Sequence, residues 1–298
     1  MRISAVINTY NEEVNIKRCI DSLTHFTDEI VVVDMNSSDE TVQVAKKLGV
    51  TVYTHPQTGF VEPARNFAIE KATGKWILIV DADEEISKTL STKILTLISG
   101  EHGKSFFRIP RKNIIFNKWI KNGRWWPDYQ VRLFKKGHVS WLNQIHSIPL
   151  TEGIGVNLEA VEDNAIIHYN YQSISQFVTR LNRYTDIQVK ELVEQGYEFK
   201  AIDLIRRPSN EFIGRYLASQ GYKDGLHGLT LSVLQAISEF ILYVKLWENN
   251  KFSESDLSLD EFSQQSKKGY QEIQYWLKEE AINKEKSPLK RMVKRVIE

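Results

Sequence analysis

Over the first eighty-five residues, four short apolar runs alternate with three segments that carry apolar residues at helical spacing, and this pattern constrains the fold most. The runs are Ile3 to Ile7, Glu29 to Val33, Val50 to Tyr53 and Trp76 to Val80. Between them lie Val14, Ile16, Cys19, Ile20 and Leu23, then Val42, Ala45 and Leu48, then a helix opened by Pro63 and closed by Thr73-Gly74. Short, continuous runs rich in Ile and Val suit parallel strands covered on both faces. Strand alternating with helix predicts a mostly parallel, Rossmann-like sheet with right-handed crossovers. In such a sheet the ligand crevice lies beyond the carboxyl ends of the strands, so the residues ending each run are the first candidates for function.

Those residues are polar and acidic. The first run ends in Asn8-Thr9-Tyr10-Asn11-Glu12, the second in Asp34, and the fourth in Asp81-Ala82-Asp83-Glu84-Glu85. Clustered carboxylates repel one another unless a cation sits among them, and oxygen ligands select a hard ion such as Mg²⁺ or Mn²⁺, which commonly bridges to phosphates. The competing use is local: Asp and Glu also complement the dipole at a helix start. A carboxylate at Asp34 is placed to accept from a base or a ribose, while Ser37, Ser38 and Asp39 already supply a helix cap.

Three separated motifs, VINTYNEE, VVVDMNSSDET and PARNFAIEKATGKWILIVDADEE, resemble in order and spacing the nucleotide-binding half of family 2 glycosyltransferases, which have a GT-A fold. The resemblance implies that Thr9, Tyr10 and Glu12 line a nucleoside pocket and that Asp34 contacts a uracil-type base. It also places Arg65 near the base or diphosphate, Asp81 at the ribose and Asp83 on the metal. With 39 basic against 38 acidic residues, the chain offers no global case for nucleic acid as a partner. Its single cysteine, Cys19, allows no internal disulfide, and a chain opening directly on a strand-like segment is expected on the cytosolic side.

Beyond the fourth run, Ser87 to Ser99 has helical spacing, and Ser105 to Pro110 and Asn113 to Phe116 read as two antiparallel pieces. Next comes Gly123-Arg124-Trp125-Trp126-Pro127-Asp128-Tyr129-Gln130-Val131-Arg132-Leu133-Phe134. Trp125 and Trp126 offer flat faces on which sugar rings pack, or core. Arg132 is a candidate for steadying a phosphate, the acceptor side or Asp128, with a structural ion pair as the alternative. WWPDYQVRLF is similar to the subset of the family that decorates lipopolysaccharide inner core, and by that similarity Asp128 is the catalytic base. His146 stands where similar proteins often have His-Glu, here followed by Ser147, and is a candidate metal or phosphate contact. His168 ends an apolar strand and reads either as a core histidine or as completing a metal shell.

From Ser173 onward the spacing is helical. Leu226 to Trp247 is apolar but carries His227, Gln235, Glu239 and Lys245, so it is expected in a membrane interface or packed in a helical subdomain, not spanning. Near the end, Leu289, Met292, Val293, Val296 and Ile297 alternate with Lys290, Arg291, Lys294 and Arg295, the pattern of a basic amphipathic helix suited to an anionic membrane surface. The expected organisation is an α/β GT-A domain over 1–172 (nucleotide half 1–100, acceptor half 101–172), a helical region over 173–250 and a charged tail over 251–298. The function implied is inverting, metal-dependent, non-processive transfer of one sugar from a nucleoside diphosphate donor, most simply UDP-linked, to a lipid-linked saccharide. A sugar-nucleotide or membrane-surface binding module without catalysis is the different-class alternative. A nucleotidyltransferase is a nearer one, and it lacks its Gly-rich phosphate loop here.

Overall fold

Every residue of β1 (Ile3–Thr9) is buried, because parallel partners flank it on both edges and helices cover both faces. β2 (Glu29–Asp34) pairs with one edge and β4 (Trp76–Asp81) with the other, and β3 (Thr51–Thr54) continues beyond β2. The connections run through α1 (Ile16–Leu23), α2 (Thr41–Lys47) and α3 (Glu62–Lys71). Successive strand residues face opposite ways. Ile3, Ala5 and Ile7 therefore join Trp76, Leu78 and Val80 in one layer with Ile16, Cys19, Ile20 and Leu23 of α1, while Val6, Ile77 and Ile79 meet Ala64 and Ala68 of α3 in the other. Each fully buried aliphatic side chain contributes roughly 1.5–3 kcal/mol, and a one-residue slip would turn both layers inside out. That register sets Thr9 beside Asp34 and Asn8 beside Asp81, so the polar strand ends lie level with one another.

The structure, a computed structural model, describes residues 2–57, 61–100, 103–142 and 148–285. After β4 come β5 (Glu84–Glu85), α4 (Lys88–Ser99), β6 (Phe106–Ile115), β7 (Lys118–Trp119), β8 (Asp128–Lys135), β9 (Val139–Ser140), β10 (Leu150–Thr151), β11 (Gly155–Asn157) and β12 (Ile166–Tyr171). The sheet runs in the order β3-β2-β1-β4-β8-β6-β12-β5, with β8 antiparallel to both β4 and β6. The two pieces expected around Pro110 are one strand, β6. Proline's fixed φ is compatible with extended chain, and Pro110 stands opposite Tyr129 just past a register shift at Phe107/Arg108.

Two units emerge, Met1–Ile115 with Trp126–Asn170, and Phe116–Trp125 with Tyr171–Glu298. The second contains α5 (Ile174–Glu194), α6 (Asp203–Ile213), α7 (Leu226–Asn249) and α8 (Leu259–Asn283). Segment 116–125 is grouped with these helices, and Asp224 binds it. The buried Asp224 carboxylate accepts from the amides of Asn122 and Lys121 at 2.8 and 3.2 Å, and its carbonyl accepts from Lys118 Nζ at 2.7 Å. Close approach continues at Gly228, where an added Cβ would meet the Gly221 carbonyl oxygen at 1.8 Å. By length and composition α7 is long and apolar enough to cross a membrane, yet Lys245 near its end pairs with Asp186 of α5 at 2.6 Å.

Candidate functional site

The strand ends gather polar side chains whose hydrogen-bonding capacity the described residues do not fill. Asn8 is 5% exposed and neither its amide oxygen nor its nitrogen has a partner. Thr9 is buried with a free hydroxyl, and Asp34 accepts the Ser37 amide on Oδ2 at 3.0 Å but leaves Oδ1 unmatched. One terminal nitrogen of Arg65 is likewise unmatched, while the other reaches Asp81 at 2.9 Å. Leaving a buried polar group unpaired costs about 1–3 kcal/mol, so several at one sheet edge mark a surface built to receive a polar ligand. Tyr10 is half-buried against the sheet. Glu12 is turned to local work: its carboxylate accepts from Asn15 Nδ2 at 2.7 Å and its carbonyl from the Asn15 and Ile16 amides that start α1.

Next to these atoms runs a line of alternating charges. Asp81 takes Arg65 on one oxygen and Arg132 on the other; Arg132 also reaches Glu84 at 2.7 Å; Arg111 lies 3.5 Å from Glu84 and 2.6 Å from Asp128. Burial by itself pushes the Asp81 carboxyl up, but Arg132 and then Arg65 outweigh it and hold the group far below the usual carboxylate range. Burial lowers the Arg132 guanidinium, and the Asp81 and Glu84 charges more than restore it. Arg132, expected toward the acceptor or Asp128, is 3% exposed and closes on Asp81 and Glu84 instead. The reason is register: Phe107 pairs with Leu133 and Arg108 with Val131, so Arg132 is the extra, unpaired residue of a bulge, a place where a side chain is re-aimed.

Asp128 opens β8 directly opposite Arg111 of β6. Its Oδ2 accepts from Arg111 and, at 3.1 Å, from Asn113 Nδ2, while among the described residues Oδ1 accepts only from Gln130 Nε2, at 2.9 Å. Burial raises this carboxyl too, and Arg111, Asn113 and Gln130 together bring it below its ordinary value. On the other side, antiparallel pairing of β12 with β5 sets His168 opposite Glu84 and brings its Nε2 to 3.5 Å from Asp83 Oδ2. Asp83 is 8% exposed. Among the described residues no group of three His, Cys, Asp or Glu side chains is arranged as a metal cage. Asp83 nevertheless supplies an oxygen donor of the kind Mg²⁺ or Mn²⁺ uses when waters and phosphate complete the shell, and His168 sets an imidazole nitrogen beside it. Cys19, behind them, is fully buried, and burial followed by the neighbouring carboxylates pushes its thiol well above the ordinary range.

Trp125 packs edge-on to Tyr171 at 6.5 Å beneath the Arg215 guanidinium, within the helical unit. Trp126 is half-buried and joined to Pro127 by a cis peptide. His146 lies outside the described residues, as does the basic tail segment from Leu289. Arg111 and Asn113 are site residues that sequence reasoning passed over, and Asn8 was noted only as part of the polar strand end. The available signal was the two-residue spacing of Arg111 and Asn113 on a strand, which puts both on one face.

The family described as Glycosyl transferase family 2 matches residues 4–162, and this makes the chain an enzyme, a glycosyltransferase. The chain belongs to glycosyl transferase family 2, and its mostly parallel sheet followed by helices is the GT-A-type architecture that the sequence motifs imply. An uncharacterized glycosyltransferase of Rickettsia conorii is 30% identical over 268 residues, covering 87% of this chain and 94% of the relative. Lipopolysaccharide core biosynthesis glycosyltransferase LpsC of Rhizobium meliloti is 23% identical over 255 residues, with 83% and 93% covered. Glucosyl-3-phosphoglycerate synthase from Mycobacterium tuberculosis, in complex with Mn²⁺, uridine diphosphate and glucosyl-3-phosphoglycerate, aligns with a TM-score of 0.32 at 22% identity over 36% of this chain and 43% of that one.

Proposed function

We propose that the enzyme transfers one sugar, with inversion, from a UDP-linked donor to a hydroxyl of a lipid-linked saccharide, at the carboxyl edge of β1, β2 and β4. The observation that carries this reading is the set of buried, unfilled donors and acceptors on Asn8, Thr9, Asp34 and Arg65. A free carboxylate oxygen on Asp34 suits the ring N–H of uracil, Tyr10 offers a face for the base, and Arg65 offers a free N–H to ribose or diphosphate. Asp83 and His168 would hold a divalent cation, which when bound neutralises charge on the diphosphate leaving group.

Asp128 is the base in this reading. Its depressed pKa keeps it ionised at neutral pH, and Oδ1, with the lighter hydrogen-bonding load, is the oxygen left to take the acceptor proton. That proton passes to Oδ1 as the acceptor oxygen bonds to the sugar's anomeric carbon, and the bond to the diphosphate oxygen breaks on the opposite side, which inverts the centre. Arg132, Arg65 and Arg111 fix the field in advance of charge movement. For the acceptor, support comes from the similarity to LpsC and from α7, where Leu226, Leu229, Val233, Ile237 and Phe240 stand exposed at three- and four-residue spacing along one side. A peripheral place on the cytosolic face of a membrane accords with that stripe.

The test is a thermal-shift panel of UDP-, GDP- and dTDP-sugars with Mn²⁺, since a ligand that binds only the folded state raises its stability, followed by turnover of Asp128→Asn. A UDP-sugar should give the largest shift. Asp128→Asn should keep that shift while turnover falls about 100-fold or more. Turnover within a few-fold of wild type would place the base elsewhere.

A further inference from the structure

We infer that Asn113 is a positioning residue that fixes the proton on His168 and thereby ties the base Asp128 to the cation side of the site. What Asp128, Asp83 and His168 do in catalysis rests on the reading above; the role of Asn113 rests on donor and acceptor logic. Asn113 is fully buried on β6, and its amide lies between the two groups. An ionised carboxylate can only accept, so the Asn113 NH₂ must face Asp128, 3.1 Å from Oδ2. That commits the amide oxygen to the other side, where His168 Nδ1 lies at 2.6 Å. A carbonyl oxygen also only accepts, so Nδ1 carries the hydrogen, and in a neutral ring Nε2 is left with its lone pair. Nε2 is the atom 3.5 Å from Asp83 Oδ2.

For the neutral ring, two alternatives fail on the same logic. Flipping the amide would set its oxygen against the Asp128 carboxylate, and moving the ring proton to Nε2 would set the Nδ1 lone pair against the amide oxygen. The charge on Asp128 thus dictates the amide orientation, the amide dictates the tautomer, and the tautomer turns an electron pair toward Asp83. A divalent cation would accept an electron pair from each of these two groups. A partner fixing the second nitrogen of a metal-binding histidine is commonly worth 10- to 100-fold in metal affinity.

The experiment reads the tautomer directly. ¹⁵N–¹H correlation spectra of the histidine side chains in the metal-free full chain, at about pH 8, where an ordinary imidazole is neutral, should show His168 protonated on Nδ1 and bare on Nε2. Asn113→Leu should lose that preference and bind Mn²⁺, titrated with UDP present and followed by electron paramagnetic resonance, about 10-fold or more weakly. Asn113→Asp keeps an acceptor for Nδ1–H but loses the donor to Asp128. It should retain the tautomer and Mn²⁺ affinity within about threefold or tighter, yet lose turnover. A wild-type His168 protonated on Nε2, or Asn113→Leu with unchanged tautomer and Mn²⁺ affinity, would overturn the inference; the wild-type spectrum decides even if Asn113→Leu does not fold. If wild type takes up no Mn²⁺ with UDP, the cation reading fails separately and the tautomer alone judges Asn113.

Discussion

Arg132 shows what the individual residues of this site contribute before any substrate arrives. It is 3% exposed and neutralises two carboxylates, Asp81 and the fully buried Glu84. Removing one partner of a buried ion pair leaves an uncompensated charge, at a cost of about 3–5 kcal/mol. Arg132→Met should therefore lower unfolding free energy by about that much in urea titration, although the side chain is of similar length; a loss under about 1 kcal/mol would show that Arg65 at Asp81 and Arg111 at Glu84 already suffice. The strand-end pattern displayed Asp81 and Asp83 as candidates and the family resemblance added Arg65 and Asp128; in the structure Arg65 pairs with Asp81, Asp128 with Arg111, and Asp83 lies beside His168. Neither the pattern nor the resemblance displayed Arg111 or Asn113. Both look like ordinary half-polar strand positions until β6 is laid beside β8, because a cross-strand partner is a property of register and not of either strand alone.

At the scale of elements, the parallel half was legible because β1, β2 and β4 each combine a continuous apolar run with a polar end, a pattern few other structures tolerate. Tight chain approach holds that half in step. Gly74 leads into β4, donates its amide to Ser4 Oγ at 2.7 Å, and has Ser4 N 2.7 Å from where a Cβ would sit. Gly74→Ala must push the entry to β4 away from β1, and overpacking of this kind costs about 1–3 kcal/mol. The expected readout is a lower midpoint in urea with an unchanged slope; a midpoint equal to wild type would mean the turn relaxes freely. The antiparallel half was less legible. Proline in β6 and the short strands β9 and β10 carry weak periodic signal, and nothing local in 116–125 reveals that Asp224, about a hundred positions away, binds it.

At the scale of the whole molecule, the sheet unit carries the candidate donor site and the helical unit carries an exposed apolar stripe on α7. With the basic tail past Lys286, that stripe predicts flotation with vesicles containing anionic lipid, weaker at high salt, and reduced in Val233→Asn/Ile237→Asn/Phe240→Asn. Failure of the wild-type chain to float would remove the membrane from the account without touching the donor site. The donor site itself is tested most directly by calorimetric titration of UDP into wild type and Asp83→Ala, each with and without Mn²⁺. Mn²⁺ should tighten UDP binding to wild type and have no such effect on Asp83→Ala, while equal metal-dependent binding by both proteins would remove Asp83 from the cation site.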